Sequence, residues 1–218
     1  MMAIAFPSDT GALAGWLMLA YLVGSVPTGL LVARAKGVDI RKVGSGNIGA
    51  TNVFRSIGKP WGVMTFIGDA LKGLIPALLF PKLAGPQAVL EWGAGFGILC
   101  AVAAILGHNF SLFLRFKGGK GVATSAGALI GIAPLAALIG VVAWVTLFFG
   151  TRYVSVASIG ASLAIPLAGW ILYQPEQPLL AWTLIILGAL VILRHKANIH
   201  RLIAGTEHRF NRKKEKNT

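Results

Sequence analysis

The chain contains little cysteine and little acid. Its 218 residues include one cysteine, Cys100, inside an apolar run, so disulfide bonds and cysteine-rich metal sites are excluded and a small buried thiol is expected. There are 7 Asp and Glu against 20 Lys and Arg. Charged residues make up only 12% of the chain and hydrophobic residues 56%, which is typical of an integral membrane protein and not of a soluble domain.

The first residues lack the basic region of a cleaved signal peptide. The stretch MMAIAFPSDTGALAG carries no Lys or Arg. The first apolar segment is therefore expected to remain as a membrane helix.

Apolar segments recur along the chain, and most are close to the roughly 20 residues that a bilayer core requires. They occupy 11–33, 62–81, 87–107, 121–149, 154–173 and 178–193. Basic residues cluster between the first two segments, around Arg115 to Lys120, at Arg152, and after Arg194. Because Lys and Arg collect on the cytoplasmic side, we expect all of these clusters there.

The orientation of the basic clusters depends on the long apolar run 121–149. All clusters reach the cytoplasm only if this run crosses twice, and Gly131 and Pro134 supply a break that leaves two pieces of about 12–16 residues. The pattern predicts an all-α, polytopic membrane bundle of seven transmembrane segments, some short, with the N-terminus outside and the C-terminus inside. A single bent helix over this run is the alternative.

The chain is predicted to form one membrane-embedded domain over residues 1–208. The remaining residues, 209–218, are polar and basic. They are predicted to form a disordered tail that is weakly attracted to anionic lipid.

A basic glycine-rich loop stands between two apolar segments. It reads KGGKG, in which Lys117, Gly118, Gly119, Lys120 and Gly121 combine two ammonium groups with backbone that can turn its N–H groups toward an anion. The loop is not a nucleotide P-loop, because glycine and not Ser or Thr follows the second lysine. It is predicted to bind phosphate; a basic loop lying against lipid headgroups is the alternative.

A second glycine-rich stretch, VGSGNIGATNVFR at 43–55, resembles a dinucleotide-binding fingerprint only superficially. That fingerprint requires a surrounding βαβ unit, whereas membrane helices flank this stretch. We interpret it as a folded polar loop in which Ser45, Asn47, Thr51 and Asn52 supply hydrogen bonds and Arg55 supplies a fork for phosphate or carboxylate.

Ionisable and polar residues also appear within the apolar segments. Asp69 and Lys72 share one helical face and indicate an interior polar site, unless they only pair with each other. Two further positions admit either a role in the site or simple packing and capping. They are Ser158, near the start of the segment 154–173, and His195 with Asn198, at the end of the last segment. Topology brings all of these motifs to the cytoplasmic face, beside short helices through which an acyl chain could enter from lipid.

The motifs together resemble the PlsY family of bacterial membrane glycerol-3-phosphate acyltransferases, which use acyl phosphate. The resemblance covers nearly the whole chain, and three blocks carry it: GSGNIGATNVFR at 44–55, GHNFSLFLRFKGGKGVAT at 107–124, and RHKANIHRL at 194–202. It implies a seven-helix fold and transfer of a fatty acyl group from acyl phosphate to the sn-1 hydroxyl of glycerol 3-phosphate, giving lysophosphatidic acid for phospholipid synthesis.

The resemblance also implies roles for individual residues in a site that faces the cytoplasm from the bacterial inner membrane. The implied catalytic residues are Ser45, Arg55, Lys120, His195 and Asn198. The residues implied to bind substrate phosphate are Asn47, Lys72, Lys117, Gly118, Gly119, Gly121 and Ser158. No cofactor, metal or nucleic acid is expected. Membrane lipid surrounds the enzyme, and functional coupling to the enzyme that forms acyl phosphate is the one partner relation foreseen.

Two motifs of other acyltransferases and hydrolases are absent, and their absence limits the expected mechanism. None of the four histidines has Asp five positions later, and no Gly-x-Ser-x-Gly elbow is present. Acyl phosphate is already activated, so we expect direct attack by the hydroxyl without a covalent acyl-enzyme, with His195, Asp69 or a substrate phosphate oxygen accepting the proton. A transporter for a phosphorylated anion and a purely structural membrane scaffold are the competing hypotheses.

Overall fold

The helices of the chain follow its apolar segments. The computed structural model describes residues 10–210, and every regular element in that range is helical. The α-helices are α1 Thr10–Ser25, α2 Thr28–Arg34, α3 Ala50–Ser56, α4 Lys59–Leu83, α5 Pro86–Trp92, α6 Gly95–Asn109, α7 Val122–Ile132, α8 Pro134–Thr151, α9 Val154–Tyr173, α10 Pro178–Arg194 and α11 Lys196–Ile203. Two 3₁₀ turns, Ile40–Lys42 and Leu112–Leu114, lie in the connections.

Five stretches of the described chain are long and apolar enough to cross a membrane. They are Gly11–Arg34, Lys59–Leu83, Gly95–Leu114, Pro134–Thr151 and Val154–Tyr173. A sixth candidate is the pair α10 and α11, which bends by 55°. The structure therefore supports an all-helical polytopic membrane fold, while the count of seven segments and the orientation of the termini stay predictions.

The break within 121–149 is confirmed. Helix α7 ends at Ile132, and Pro134 begins α8, where a proline without an N–H is well accommodated. The two pieces are unequal, because α8 has 18 residues and α7 only 11. Helix α7 is thus too short to span a bilayer by itself.

The interior of the bundle is rich in alanine, although Phe96 and Ile105 are fully buried as well, and many large apolar side chains face outward. Ala101, Ala104 and Ala128 are fully buried, whereas Leu163 and Ile186 are 59% and 65% exposed. This arrangement is typical of membrane helices, which approach closely through small residues and present bulky ones to lipid. Helices α4 and α7 approach closely at Gly73 and Gly127, so the short helix is fixed against a full-length one.

The predicted domain over residues 1–208 stays a prediction, and the two residues that follow it form hydrogen bonds with the described helices. Arg209 donates a hydrogen bond from Nε to the carbonyl of Thr151 (3.2 Å), and the backbone N–H of Phe210 donates to the carbonyl of Arg152 (2.9 Å). These two residues, assigned above to a disordered tail, pack on the domain instead because backbone carbonyls at the α8–α9 turn accept their hydrogen bonds. The rest of the predicted tail, 211–218, lies outside the described residues.

Candidate active site

A polar cavity of about 720 Å³ brings the distant motifs together. Its walls come from the loop before α3, from the N-terminal end of α7, from the start of α9, and from α11 with the residues after it. Of the residues proposed from the sequence, those lining it are Ser45, Asn47, Arg55, Asp69, Lys120, Gly121, Ser158, His195 and Asn198. Lys72, Lys117, Gly118 and Gly119 are not among its lining residues.

Asn52 holds the loop that precedes α3. Its amide Nδ2 donates to the carbonyls of Val43 (3.1 Å) and Asn47 (2.8 Å), and its Oδ1 accepts from the N–H of Ser45 (3.0 Å). Gly46 has a φ of 69°, a left-handed conformation that other residues rarely adopt. The loop is therefore a fixed wall that presents Ser45 and Asn47 to the cavity. Asn52, named from the sequence only as one of the hydrogen-bonding residues of this loop, is the side chain that organises it.

The basic glycine-rich loop is used differently from the prediction. The N–H of Gly118 donates to the carbonyl of Asn109 (3.2 Å), and the N–H of Gly119 donates to that of His108 (3.1 Å). The two glycine carbonyls accept hydrogen bonds from the guanidinium of Arg194 (2.8–3.0 Å). Since their N–H groups are occupied, the predicted phosphate binding by Gly118 and Gly119 does not fit this arrangement.

Gly121 and Lys120 form the part of this loop that reaches the cavity. Gly121 has a φ of 83° and directly precedes α7, whose first turn also lines the cavity. The first N–H groups of a helix have no intrahelical acceptor and carry a partial positive charge. Together with the ammonium of Lys120, they make this corner suited to a phosphate. Lys117 is exposed and does not line the cavity, so the structure gives no support to the prediction that Lys117 binds phosphate.

A hydrogen-bonded chain connects Lys120 to the C-terminal residues. The Nζ of Lys120 donates to Oδ1 of Asn198, and Nδ2 of Asn198 donates to Oε1 of Glu207 (2.7 Å). The other carboxylate oxygen of Glu207 accepts from Nε of Arg201 (2.7 Å). The chain fixes the amide of Asn198 with its oxygen toward the lysine, which sequence spacing could not show.

Burial changes the pKa values of the charged residues in this hydrogen-bonded series. It lowers the pKa of Lys120 to about 8, because loss of water and the nearby arginines outweigh the attraction of Glu207. Burial alone would raise the pKa of Glu207, but the hydrogen bonds from Asn198 and Arg201 lower it below its usual range. Glu207 therefore stays ionised, and an anionic ligand would favour the charged form of Lys120.

Arg55 stands at the edge of the cavity near the C-terminal residues. Its guanidinium donates to the carbonyl of His208 (3.3 Å) and lies over the ring of Phe210, 4.4 Å from the centroid. Burial lowers the pKa of Arg55, with Glu207 opposing the shift. An arginine remains charged under all ordinary conditions, so it is a permanent cation here.

His195 lies at the bend between α10 and α11 and is 2% exposed. Its Nδ1 is 2.8 Å from the carbonyl of Val191, which can only accept, so Nδ1 carries the proton. In the neutral ring, Nε2 is then the atom with the free lone pair. Ser158 also lines the cavity, where its hydroxyl accepts a hydrogen bond from Nε1 of Trp144 (3.2 Å).

Asp69 and Lys72 form an ion pair inside the bundle. Their charged atoms are 2.7 Å apart, and Lys72 also donates to the carbonyl of Val26 (2.7 Å). Both side chains are nearly inaccessible, at 3% and 6%. The two residues pair with each other, as the alternative foresaw, and Asp69 also lines the cavity whereas Lys72 does not. His108, 3.7 Å from Asp69, joins this pair and was missed in the sequence.

An apolar cavity of about 550 Å³ adjoins the polar one. Its walls come from α4, α7, α8 and α9, and it runs between Val63 and Phe66 on one side and Val141 and Trp144 on the other. The residues shared by both cavities are Ala50, Thr51, Phe66, Val122, Trp144, Val154 and Ser158. A ligand with a charged head and an apolar chain could therefore occupy both cavities at once.

Within residues 10–210, no group of three or more His, Cys, Asp or Glu side chains is placed to hold a metal ion. The cavity offers cations and hydrogen-bond donors instead. Its chemistry therefore suits anionic ligands.

Comparison with known proteins supports the family indicated by the sequence. Residues 14–205 match the family described as glycerol-3-phosphate acyltransferase. Relatives of that name include proteins from Geotalea daltonii, 51% identical over 88% of this chain and 95% of the relative, and from Aquifex aeolicus, 45% identical over 89% and 97%.

Solved structures of a relative have the same fold. Crystal structures of PlsY (YgiH), an integral membrane glycerol 3-phosphate acyltransferase, superpose with TM-scores of 0.83 for its glycerol 3-phosphate form and 0.81 for its lysophosphatidic acid form. Their sequences are 42% and 41% identical to this chain, and each match covers 92% of this chain and 96% of the solved one. The chain belongs to the PlsY family of integral membrane glycerol-3-phosphate acyltransferases.

Proposed function

We propose that the protein transfers a fatty acyl group from acyl phosphate to the sn-1 hydroxyl of glycerol 3-phosphate. The products are lysophosphatidic acid and inorganic phosphate. The observation that carries the proposal is the union of a cationic polar cavity with an apolar one through seven shared residues. The glycerol 3-phosphate and lysophosphatidic acid forms of the solved relative support the same acceptor and product.

The polar cavity has cationic groups for two phosphates. Lys120 and the first turn of α7 form one cluster, and Arg55 and Arg201 extend the positive charge along the wall. Glu207 neutralises part of this charge, since it accepts from Arg201 directly and from Asn198. The remaining charge favours anionic substrates held by charge-assisted hydrogen bonds.

The apolar cavity gives the acyl chain a place beside the reacting groups. Val63, Phe66, Ile130 and Val141 on its rim are between 49% and 55% exposed. In a membrane this rim would face lipid, so a donor or product could pass sideways between the cavity and the bilayer. That route removes the need to carry the acyl chain through water.

The reaction we propose is a direct displacement. The sn-1 oxygen of glycerol 3-phosphate forms a bond to the acyl carbon, and the bond from that carbon to the phosphate oxygen breaks. The leaving phosphate keeps the electron pair of the broken bond, and nearby cations stabilise its charge. A covalent acyl-enzyme is unnecessary, and the hydroxyl of Ser158 is engaged by Trp144 rather than by a base.

The proton of the attacking hydroxyl needs an acceptor. Asp69 is neutralised by Lys72 at 2.7 Å, which makes it the poorest of the three groups considered from the sequence. Nε2 of His195 and a substrate phosphate oxygen remain. His195→Gln removes the basic nitrogen, so a loss of kcat of about 100-fold or more would favour the histidine, whereas a smaller loss favours the phosphate.

The function is tested by supplying palmitoyl phosphate or palmitoyl-CoA with labelled glycerol 3-phosphate to the purified protein in lipid. We expect lysophosphatidic acid from the acyl phosphate and none from the thioester. Lys120→Ala should abolish the product, while Lys117→Ala in the same loop serves as a matched control, since Lys117 is exposed and outside the cavity. Failure of the folded wild-type protein to form product from either donor would disprove the proposal.

The cellular setting is part of the proposal. We place the protein in the bacterial inner membrane with the polar cavity open to the cytoplasm, where glycerol 3-phosphate is soluble. This placement is supported by the basic clusters near the cavity, since Lys and Arg mark the cytoplasmic side. Functional coupling to an enzyme that forms acyl phosphate fits a donor that enters from the membrane.

A further inference from the structure

The residues after α11 form a short strap across the edge of the cavity. This C-terminal strap, Glu207–Phe210, binds three separate parts of the protein. Glu207 contacts α11, the carbonyl of His208 accepts from Arg55 in α3, and the N–H of Phe210 donates to the carbonyl of Arg152 after α8. The strap is therefore fixed at both ends and at its centre.

Phe210 is the strap residue whose ring stacks on the guanidinium of Arg55. Its ring lies 4.4 Å from the central carbon of the guanidinium, a distance typical of a cation–π interaction. Among the described residues, the side chain of Arg55 donates one hydrogen bond, from a terminal nitrogen to the carbonyl of His208. Nε of Arg55 is buried and has no acceptor in the described structure. The guanidinium is thus held mainly by stacking, with donors left for a ligand.

The ring of Phe210 is itself held from several sides. Its centroid is 5.9 Å from that of Phe54 and 5.7 Å from that of Phe148, both in edge-to-face arrangements. These contacts restrict the rotation of the ring and keep its face toward Arg55. The platform therefore belongs to the folded structure and is in place before a substrate arrives.

From this geometry we propose that Phe210 is a positioning residue, which holds the guanidinium of Arg55 in the orientation that binds the phosphate of glycerol 3-phosphate. The proposal rests on the acyltransferase function above. A planar guanidinium binds phosphate through two parallel N–H donors, so its orientation matters more than its charge alone. A leucine at 210 would fill similar space but lose the π face.

Phe210 also lines the apolar cavity, which gives a competing explanation for any effect of its replacement. A residue that only forms the wall for the acyl chain should affect the KM for acyl phosphate. A residue that positions Arg55 should affect the KM for glycerol 3-phosphate. The two explanations are therefore separated by measuring both constants, each at a saturating level of the other substrate.

The experiment compares wild type, Phe210→Leu, Phe210→Tyr and the matched control Phe113→Leu, whose ring is 57% exposed and lies outside both cavities. We expect Phe210→Leu to raise the KM for glycerol 3-phosphate about 3- to 20-fold, as loss of a cation–π contact predicts, with little change in kcat. Tyr at 210 should restore the KM to within about threefold, because its ring keeps the π face. The control should match wild type.

A double variant tests whether the effect of replacing Phe210 acts through Arg55. In Arg55→Lys, where the planar fork is already lost, adding Phe210→Leu should raise the KM for glycerol 3-phosphate no further. A full additional effect there, an effect on the KM for acyl phosphate alone, a fall in kcat alone, or a Phe210→Leu variant equal to wild type would each overturn the proposal. Lack of product in the wild type would instead count against the proposed function itself.

Discussion

At the scale of single residues, Lys120 is a cation of the cavity whose charge changes near neutral pH. Its pKa of about 8 lies below that of a free lysine because burial disfavours the ammonium. Below pH 8 the free enzyme therefore carries the charge, and as the pH rises through 8 the neutral amine replaces it. We expect the KM for glycerol 3-phosphate to rise above pH 8, by up to about tenfold per pH unit.

The control for this pH dependence is Lys120→Arg, which stays charged throughout the range. Its KM, measured between about pH 6.5 and 9.5 with enzyme-free hydrolysis of the donor subtracted, should lack the alkaline rise. The same rise in the arginine variant would show that another group titrates.

The residues of the site were only partly predictable from sequence. Ser45, Arg55 and Lys120 were found because loop composition and resemblance both mark them, and all three line the cavity. The predicted phosphate binding by Gly118 and Gly119 rested on composition, which does not show whether a backbone N–H already has an acceptor. Phe210 was missed because a lone aromatic residue beside a basic tail carries no local signal.

At the scale of helices, the crossing of α4 and α7 depends on glycines from both sides. A Cβ on Gly73 would collide with the carbonyl of Thr124, and one on Gly127 would collide with the carbonyl of Ala70. We expect Gly73→Ala and Gly127→Ala each to destabilise the protein by about 1–3 kcal/mol, because the helices must move apart. Such movement would also displace the α7 end of the site.

Gly15 in α1 provides the matched control for these glycines. A Cβ there meets nothing within 4 Å, so Gly15→Ala should leave stability unchanged or raise it by up to about 1 kcal/mol. The check is the midpoint of thermal unfolding in one detergent. Equal effects at all three positions would contradict the packing argument.

The apolar cavity makes a prediction about acyl-chain length. On α9 it extends from Val154 to Ile165, about 16 Å along the helix axis. Ile165→Trp should fill the end of the cavity that lies away from the polar one. The kcat/KM for octanoyl phosphate, divided by that for palmitoyl phosphate, should then rise by about tenfold. Leu163→Trp on the same helix, at a side chain that is 59% exposed, should leave the ratio unchanged. An unchanged ratio in Ile165→Trp would mean that the chain lies elsewhere.

At the scale of the whole molecule, the orientation in the membrane is open to direct measurement. Lys117 and Gln177 are both exposed, and the sequence places them on opposite sides. In a Cys100→Ser background, Lys117→Cys should react with an impermeant maleimide only from the cytoplasmic side, and Gln177→Cys only from the opposite side. Labelling of both from one side would refute the predicted topology.

Composition and local pattern by themselves determined that the chain is a helical membrane protein, that its long apolar run breaks before Pro134, and that its polar motifs belong together. These conclusions follow from hydropathy, charge placement and the missing N–H of proline, which are properties of short stretches. Only the tertiary structure decided that Glu207 orients Asn198 and that Arg55 lies on Phe210. Such contacts join residues far apart in the chain, or depend on side-chain direction, because packing of the helices and not local sequence brings those atoms within reach.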